Sequence, residues 1–429
     1  MGWQVHKLGD LCNIEKGNIG ITKAIAGEYP LVVLGEERKT HNEYQFEDDA
    51  VIIPLVSSTG HGHRSMKRIH FQSGKFALGS ILCAVTPKDK SKVSAQYLFQ
   101  YLDLNKENEL VSRMRGMANV SLPMSAIADI DIPLPPFKEQ IEIVERLGSL
   151  QKSNKAISDE LSNQVTFLKH LRQQILQDAI QGKLVPQNPE DEPASKLLER
   201  IIAEKELLVK QKKIKKEKSL PPIKPEDIPF EIPDGWVWCR LSEVSNFIDY
   251  RGKTPNKVSA GIKLITAKNV KYGFYSTLPE EFISPVDYNK HMTRGIPRNG
   301  DILFTTEAPL GNACILNYDK QFALAQRIIT IQPILFDNKF LLFSILSKTF
   351  QNQLIEKQSG LAAKGIKSKR LSEVFINLPP LPEQHRIVQK IDQLMKYCDE
   401  LEATIQQNQN YTQELLQVAL KEALEPDNL

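Results

Sequence analysis

The stretch "PLPPFKEQIEIVERLGSL", residues 133–150, has a near copy 244 residues later in "NLPPLPEQHRIVQKIDQL", residues 377–394. The register holds without a gap well beyond the two pieces. Upstream it pairs Gly116 with Gly360, Ala118 with Ala362 and Ile127 with Leu371; downstream it pairs Leu150 with Leu394, Leu171 with Leu415, Leu176 with Leu420 and Ala179 with Ala423. A match sustained over such a span marks a tandem duplication. A weaker echo opens each half, "GWQVHKLGDLCN" from Gly2 and "GWVWCRLSEVSN" from Gly235, at a register of 233. The chain is therefore variable module, helix, variable module, helix, with the modules differing by about eleven residues in length.

Both quoted stretches read as helix entrances. Pro382 suits a first helical position, where its missing N–H would lack a partner anyway, and Glu383 favours the positive end of the helix dipole. A heptad runs through Ile143, Leu150, Ile157, Gln164 and Leu171, alternating with Leu147, Asn154, Leu161, Leu168 and Ile175. Its copy runs through Ile387, Leu394, Leu401, Asn408 and Leu415, alternating with Ile391, Cys398, Ile405, Thr412 and Ala419. Two copies of one amphipathic unit can pair as a homodimer does, about a pseudo-two-fold axis, which here predicts an antiparallel coiled coil. The helix from Lys138 to about Ile180 would be roughly 60 Å long, a spacer between the modules. The matched polar pair, Gln164 and Asn408, is expected to fix register on this seam.

After the first helix, Gly182 stops the chain and Pro186 and Pro189 keep it stopped. Ser195 with Glu199 is expected to open a second, Lys-rich helix, and "SLPPIKPEDIPFEIPDGW" reads as a proline-punctuated connector. The lysines from Lys205 to Lys218 read as a solvated face, or as a cover for phosphates or an acidic partner.

The two modules are strand-rich. Runs such as "DAVIIPLV", "SILCAV", "IKLITAKNV" and "QRIITIQP" are broken by Gly, Asn, Asp and Pro, and each module holds a helical piece before its end. The fold class is α+β. The divisions are 1–135 and 234–380 for the modules, 136–182 and 381–425 for the long helices, and 183–233 for the linker. Loops in both modules gather the residues that hold phosphates or make paired contacts to purine edges. In the first these are Ser57, Ser58, Thr59, His61, His63, Arg64, Lys67 and Arg68. In the second they are Arg251, Lys253, Thr254, Lys268, Asn269, Thr305, Thr306, Asn312, Gln326, Arg327, Lys364 and Lys367.

The bulk numbers exclude several classes. A chain of 429 residues suits two to four packed units. A net charge of +3 is no polycation, so local patches must carry any nucleic-acid binding. Five scattered cysteines form no CxxC pair, which argues against a disulfide frame and a zinc site and for a reducing cytoplasm. The start has no signal-peptide core, and the longest apolar runs fall far short of the ~20 residues that span a bilayer, so no membrane is expected. "GLAAKGIKSKR" lacks the lysine a phosphate loop needs after its second glycine, and "IPLPPF" and "INLPPL" lack the Asn or Asp of an amino-methyltransferase tetrapeptide. Neither a GxSxG elbow nor an HExxH pair is present, and His61 with His63 alone does not make a metal site. No catalytic site and no metal are expected on this chain.

"LPPFKEQIEIVERL", "ILQDAIQGKLVPQNPEDEPASKLLERI", "YRGKTP", "GDILFTTEAPLGN" and "LPPLPEQHRIVQKIDQL" resemble the specificity subunits of type I restriction-modification systems, over essentially the whole chain. The resemblance implies a non-catalytic subunit whose two target-recognition domains read a bipartite sequence in double-stranded DNA across a nonspecific spacer set by the helices. It implies two modification subunits that methylate adenine N6 from S-adenosylmethionine, and two restriction subunits using ATP and Mg, with no cofactor on this chain. It also places target recognition at loop positions such as Ser58, His61, Arg64, Arg251, Lys253, Lys268, Thr306, Asn312 and Arg327. The alternatives are a DNA-binding adaptor or alternative specificity subunit without active restriction partners, and a catalytic protein with a scattered site.

Overall fold

The two registers of the repeat, 233 and 244, correspond to the strands that open and close each module. In the computed structural model, which describes residues 3–59, 62–117, 119–216, 220–250, 255–359 and 365–424, strand Gln4–Lys7 pairs antiparallel with Asp131–Leu134, Val5 facing Pro133. In the second module Val237–Arg240 pairs with Phe375–Leu378, and Trp238 faces Asn377. Each module's exit strand therefore returns beside its entry strand and delivers the chain into a long helix.

Between these strands each module holds two four-stranded sheets. The first sheet runs Cys12–Lys16, Leu82–Pro87, Ala50–Pro54, His70–Gln72 in module one, and Ser245–Asp249, Ile328–Pro333, Ile302–Thr305, Ala313–Ile315 in module two, antiparallel throughout. The second sheet carries one parallel pair in each, with Leu31 beside Ala77 and Leu264 beside Ala323. Central strands such as Ala50–Pro54 and Ile302–Thr305 are buried at every residue, which is why they read as continuous apolar runs. The α+β class expected from sequence is the one observed.

The repeated Glu-Gln dipeptide joins module to helix. Gln140 is fully buried; its Oε1 accepts from the backbone N–H of Ser94, and its Nε2 donates to the carbonyls of Lys92 and Pro135. Ser94 is the N-cap of the helix Ala95–Leu104. In the copy, buried Gln384 accepts from the N–H of Asp337, N-cap of the helix Asn338–Leu346, and donates to the carbonyl of Pro379. The preceding glutamate holds the tryptophan that opens its module: Trp3 Nε1 donates to Glu139 at 3.1 Å and Trp236 Nε1 to Glu383 at 2.9 Å. A buried polar group without such partners would cost ~1–3 kcal/mol, so the motif is tied to this joint.

"GKLVPQ" has a local role as well. Gly182, at φ +70, closes the first long helix, and Gln187 then donates to Glu383 at 2.7 Å. Burial pushes the Glu383 carboxyl above its ordinary range, while the donors on Trp236 and Gln187 and nearby Arg386 pull it back. Arg386 is itself paired with Asp191 at 2.6 Å. The linker helix spans Ala194–Lys210 with Pro193 at its N-cap position, so Ser195 lies inside the first turn and does not cap it. The fixed φ of proline suits that entrance better than a serine hydroxyl one residue late.

The long helices span Phe137–Ile180 and Leu381–Leu424. The chain forms two units, Met1–Asn163 with Ile405–Leu429, and Gln164–Thr404, so each unit takes one part of each long helix. In the first, Ile143 and Leu147 share a core with Leu424, and Leu420 and Ala423 pack against it. In the second, Arg172 donates to Asp399 at 2.7 Å and Glu402 at 3.0 Å, and Asn377 donates to the carbonyl of Ile180. Within each unit, the late part of one helix meets the early part of the other, the antiparallel order expected.

The seam itself differs from the expected heptad. Leu161, Leu168 and Ile405 are buried and Leu150 and Leu394 half-buried, as expected. Ile157, Leu171, Leu401 and Leu415 instead remain 50, 45, 51 and 70 % exposed, and Gln164 and Asn408 lie on the surface. Val165, Arg172, Gln409 and Leu416, one residue further along, are partly covered in their place. A straight helix turns every 3.6 residues and drifts ~20° per heptad, so a strict seven-residue spacing leaves the contact face. The matched polar pair therefore cannot fix register from inside the seam.

Candidate nucleic-acid interface

In the first module the loop after strand Ala50–Pro54 is closed by its own hydroxyls. Ser57 Oγ donates to the carbonyl of His63 at 2.6 Å, and Ser58 Oγ accepts from the N–H of Lys67 at 3.0 Å. Both serines are half-buried, so they build the loop rather than face a ligand, a correction to their sequence reading. What the loop displays is Thr59, His63, Arg64 and Lys67, all exposed. Arg68 is paired with Glu36 at 2.7 Å. Beside it Arg38 reaches His70 Nδ1 at 3.2 Å, Gln72 at 3.1 Å and the carbonyl of Phe71 at 3.3 Å. Burial and the charges of Arg38 and Arg68 bring the His70 imidazole down to about 4.

The corresponding loop of the second module follows strand Ile302–Thr305. Thr305 Oγ1 donates to the carbonyl of Pro309 at 2.6 Å and accepts from the N–H of Asn312 at 3.0 Å. Thr306 donates to the carbonyl of Arg327, and Asn312 Nδ2 to that of Val270 at 3.1 Å. Asn269, fully buried, accepts from Thr266 and donates to the carbonyls of Ser276 and Pro279. Thr305, Thr306, Asn269 and Asn312 are thus loop-building residues, contrary to their reading as surface contacts. Their donors and acceptors satisfy backbone groups that a short, partly buried loop would otherwise leave unpaired. Lys268 and Lys367 are exposed, Gln326 is half-covered, and exposed Arg327 pairs with Glu307 at 2.8 Å. His61, Arg251, Lys253, Thr254 and Lys364 lie outside the described residues.

The two loops occupy matching places. In module one Val56 bridges Ser121 and Arg115 bridges Ser121; in module two Glu307 bridges Gly365 and Ser359 bridges Gly365. Each loop is therefore backed by a second segment, 115–121 or its copy at 359–365. Sequence reading missed the first of these, with Arg115 and 94 % exposed Met117, because it lies some fifty residues from the loop it touches. Arg38 was missed for the same reason.

Both units also expose large apolar side chains on the long helices. Ile157, Tyr411, Leu415 and Val418 do so in the first unit, and Phe167, Leu171, Tyr397 and Leu401 in the second. Three pairs are copies at register 244: Ile157 with Leu401, Phe167 with Tyr411, and Leu171 with Leu415. Among the described residues no group of His, Cys, Asp or Glu is placed to hold a metal ion, and no helix is long and apolar enough to cross a membrane. The cysteines are free and buried; burial pushes Cys12, Cys83 and Cys314 up to about 12.

Comparison with known proteins agrees with this layout. The chain is 38% identical over 248 residues to the type I restriction enzyme EcoAI specificity subunit of Escherichia coli, a match covering 55% of this chain and 41% of that protein. It is 33% identical over 396 residues to the EcoEI specificity subunit of Escherichia coli, covering 77% of this chain and 65% of the relative. The match thus spans less than two thirds of either relative's length. A solved chain described under "Structural basis underlying complex assembly and conformational transition of the type I R-M system" superposes with a TM-score of 0.67 at 18% identity, covering 100% of this chain and 98% of its own, a likeness of fold. Residues 1–166 and 233–409, most of both modules and helices, match the type I restriction modification DNA specificity domain, and the chain belongs to that family.

Proposed function

We propose that this chain is the sequence-reading subunit of a type I restriction-modification complex, each module contacting one half of a two-part target in double-stranded DNA. The observation that carries the reading is a repeated frame displaying unlike loops: the same Glu-Gln joint and entry strands present Thr59, His63, Arg64 and Lys67 in one module and Lys268 and Lys367 in the other. Loops of different chemistry on one frame suit two half-sites of different sequence. Exposed cations would hold phosphates and fix register on the duplex, while side chains at the loop tips would reach base edges.

The long helices serve as the spacer and as the docking surface for two modification subunits. Support comes from the duplicated exposed apolar residues, since isolated apolar side chains need no explanation but a set preserved through duplication does. Methyl transfer from S-adenosylmethionine, and ATP- and Mg-dependent cleavage by two restriction subunits, belong to the partners; this chain contributes recognition and no catalysis. With a net charge of +3 it shares its grip on DNA with them, so binding alone is weak and binding in the complex is tight and salt-sensitive.

The experiment is a genome-wide map of N6-methyladenine in host cells with and without this gene. Loss of methylation at one two-part motif with a fixed gap is the expected result. An unchanged map in cells that express the partner subunits would contradict the reading.

A further inference from the structure

The lysine run after the helix Ala194–Lys210 is more than a solvated end. Lys205 anchors that helix to the second module by donating to the carbonyls of Ser242 and Ser245. The chain then turns at Lys212, φ +58, with the N–H of Lys213 returning to the carbonyl of Leu208 at 2.9 Å. This turn forms one wall of a cleft of about 1050 Å³ within the unit Gln164–Thr404. Lys212, Lys213, Lys215 and Lys216 line that wall; Arg294, Arg298 and Lys369 come from two other segments, and Asp249 is the one carboxylate among the lining residues described. All seven cations are exposed. Seven positive side chains against one negative, in a chain whose net charge is only +3, make this a strong local field.

We propose that this cleft holds the sugar–phosphate backbone of the DNA beside the second half-site, an inference that rests on the function proposed above. Phosphate oxygens only accept hydrogen bonds, and the cleft offers donors: lysine and arginine, with Thr293, Ser368 and Ser372 among the lining hydroxyls. Its volume exceeds what a single anion would fill and suits a run of backbone. The cleft also adjoins the candidate interface: Lys369 follows Lys367 by two residues, and Asp249 precedes Arg251 by two. That continuity favours DNA over an acidic segment of a protein partner. The contact is indifferent to sequence, so it adds affinity and leaves the motif unchanged.

The test uses the complex assembled with its methyltransferase subunits and a duplex bearing the methylated motif. A fourfold variant, Lys212→Ala, Lys213→Ala, Lys215→Ala and Lys216→Ala, is compared with the wild type and with the fourfold Lys→Arg variant. Removing these phosphate contacts is expected to weaken binding about tenfold or more and to lower the slope of log affinity against log salt by about 2–4. The methylated motif should stay the same, and the Lys→Arg variant should keep both affinity and slope. Interference by phosphate ethylation should vanish beside the second half-site alone. Unchanged affinity and slope with the motif intact would overturn the inference while leaving the proposed function standing. Loss of subunit assembly in place of DNA affinity would assign the cleft to an acidic partner segment, and loss of interference beside the first half-site would also overturn the proposal. A wild-type complex that methylates no two-part sequence would overturn the function and this inference together.

Discussion

In the first module Gln140 holds the N-cap of the helix Ala95–Leu104, and in the second Gln384 does the same for Asn338–Leu346, yet between those anchors the modules diverge. The loop at residues 57–68 is closed by Ser57 and Ser58, whereas the loop at 306–312 is closed by Thr305 and by Gly311, whose added Cβ would lie 2.5 Å from Gln351. The parallel strand pair has a neighbour on both sides in module one and lies at the sheet edge in module two. Titratable groups differ too: buried His70 is held neutral in the first, while Asp301 and Glu383 have carboxyls raised by burial in the second. What duplication preserved are groups that satisfy buried backbone where module meets helix. What it released are side chains facing water, where substitution usually costs within about 0.5 kcal/mol.

The largest expected effect breaks the equivalence of the two exposed apolar faces. Leu171→Asp and Leu415→Asp each place a carboxylate where a partner would bury it unpaired, a penalty of ~4 kcal/mol or roughly 10³-fold in affinity. Each variant should lose one of two modification subunits, read as a change in stoichiometry by native mass spectrometry. Losing both subunits from either single change, or neither, would show that the copies are not equivalent sites.

Acid should separate the modules next. His70 titrates near 4 when folded and at its ordinary 6.5 when unfolded, so below 6.5 the unfolded chain takes up a proton that the folded one refuses. Stability present above pH 6.5 is then lost as pH falls towards 4, by as much as ~3 kcal/mol. The raised carboxyls of Asp301 and Glu383 act in the opposite sense, their cost being relieved as they protonate. Hydrogen exchange followed from pH 7 to 4 should show first-module amides losing protection before second-module amides. Equal loss in both would contradict this contrast.

The smallest difference lies in the shared joint. Gln140→Ala strands a buried N–H and two carbonyls, while Gln384→Ala strands one N–H and one carbonyl. The first should cost roughly 2–3 kcal/mol and the second roughly 1–2 kcal/mol, measured by urea unfolding of each variant. A negligible cost at both would mean that water replaces the side chain and that the motif has another role.

Much of this frame was legible before any coordinates. The 244-residue register located both long helices, and the alternation of apolar runs with turn residues located the strands. The seam was misread at Ile157, Leu171, Leu401 and Leu415 because a seven-residue count assumes a supercoil that keeps step, and these helices drift by one residue. The site was less legible. Ser57, Thr305 and Asn269 have the functional groups of DNA contacts, but the same groups close loops, and only the partners they meet decide between the uses. Arg115 and Arg38 join the interface through strand pairings distant in sequence, and the Trp3–Glu139 and Trp236–Glu383 pairs are separated by 136 and 147 residues.

The central claim, that each module reads its own half of the target, is tested most directly by single-molecule methylation sequencing of cells carrying the complex with Arg64→Ala and Lys67→Ala, or with Lys268→Ala and Lys367→Ala. The account predicts that the first pair relaxes or loses only one half of the two-part motif and the second pair only the other, with the gap between them unchanged. Alteration of the same half by both pairs, or a changed gap, would contradict it.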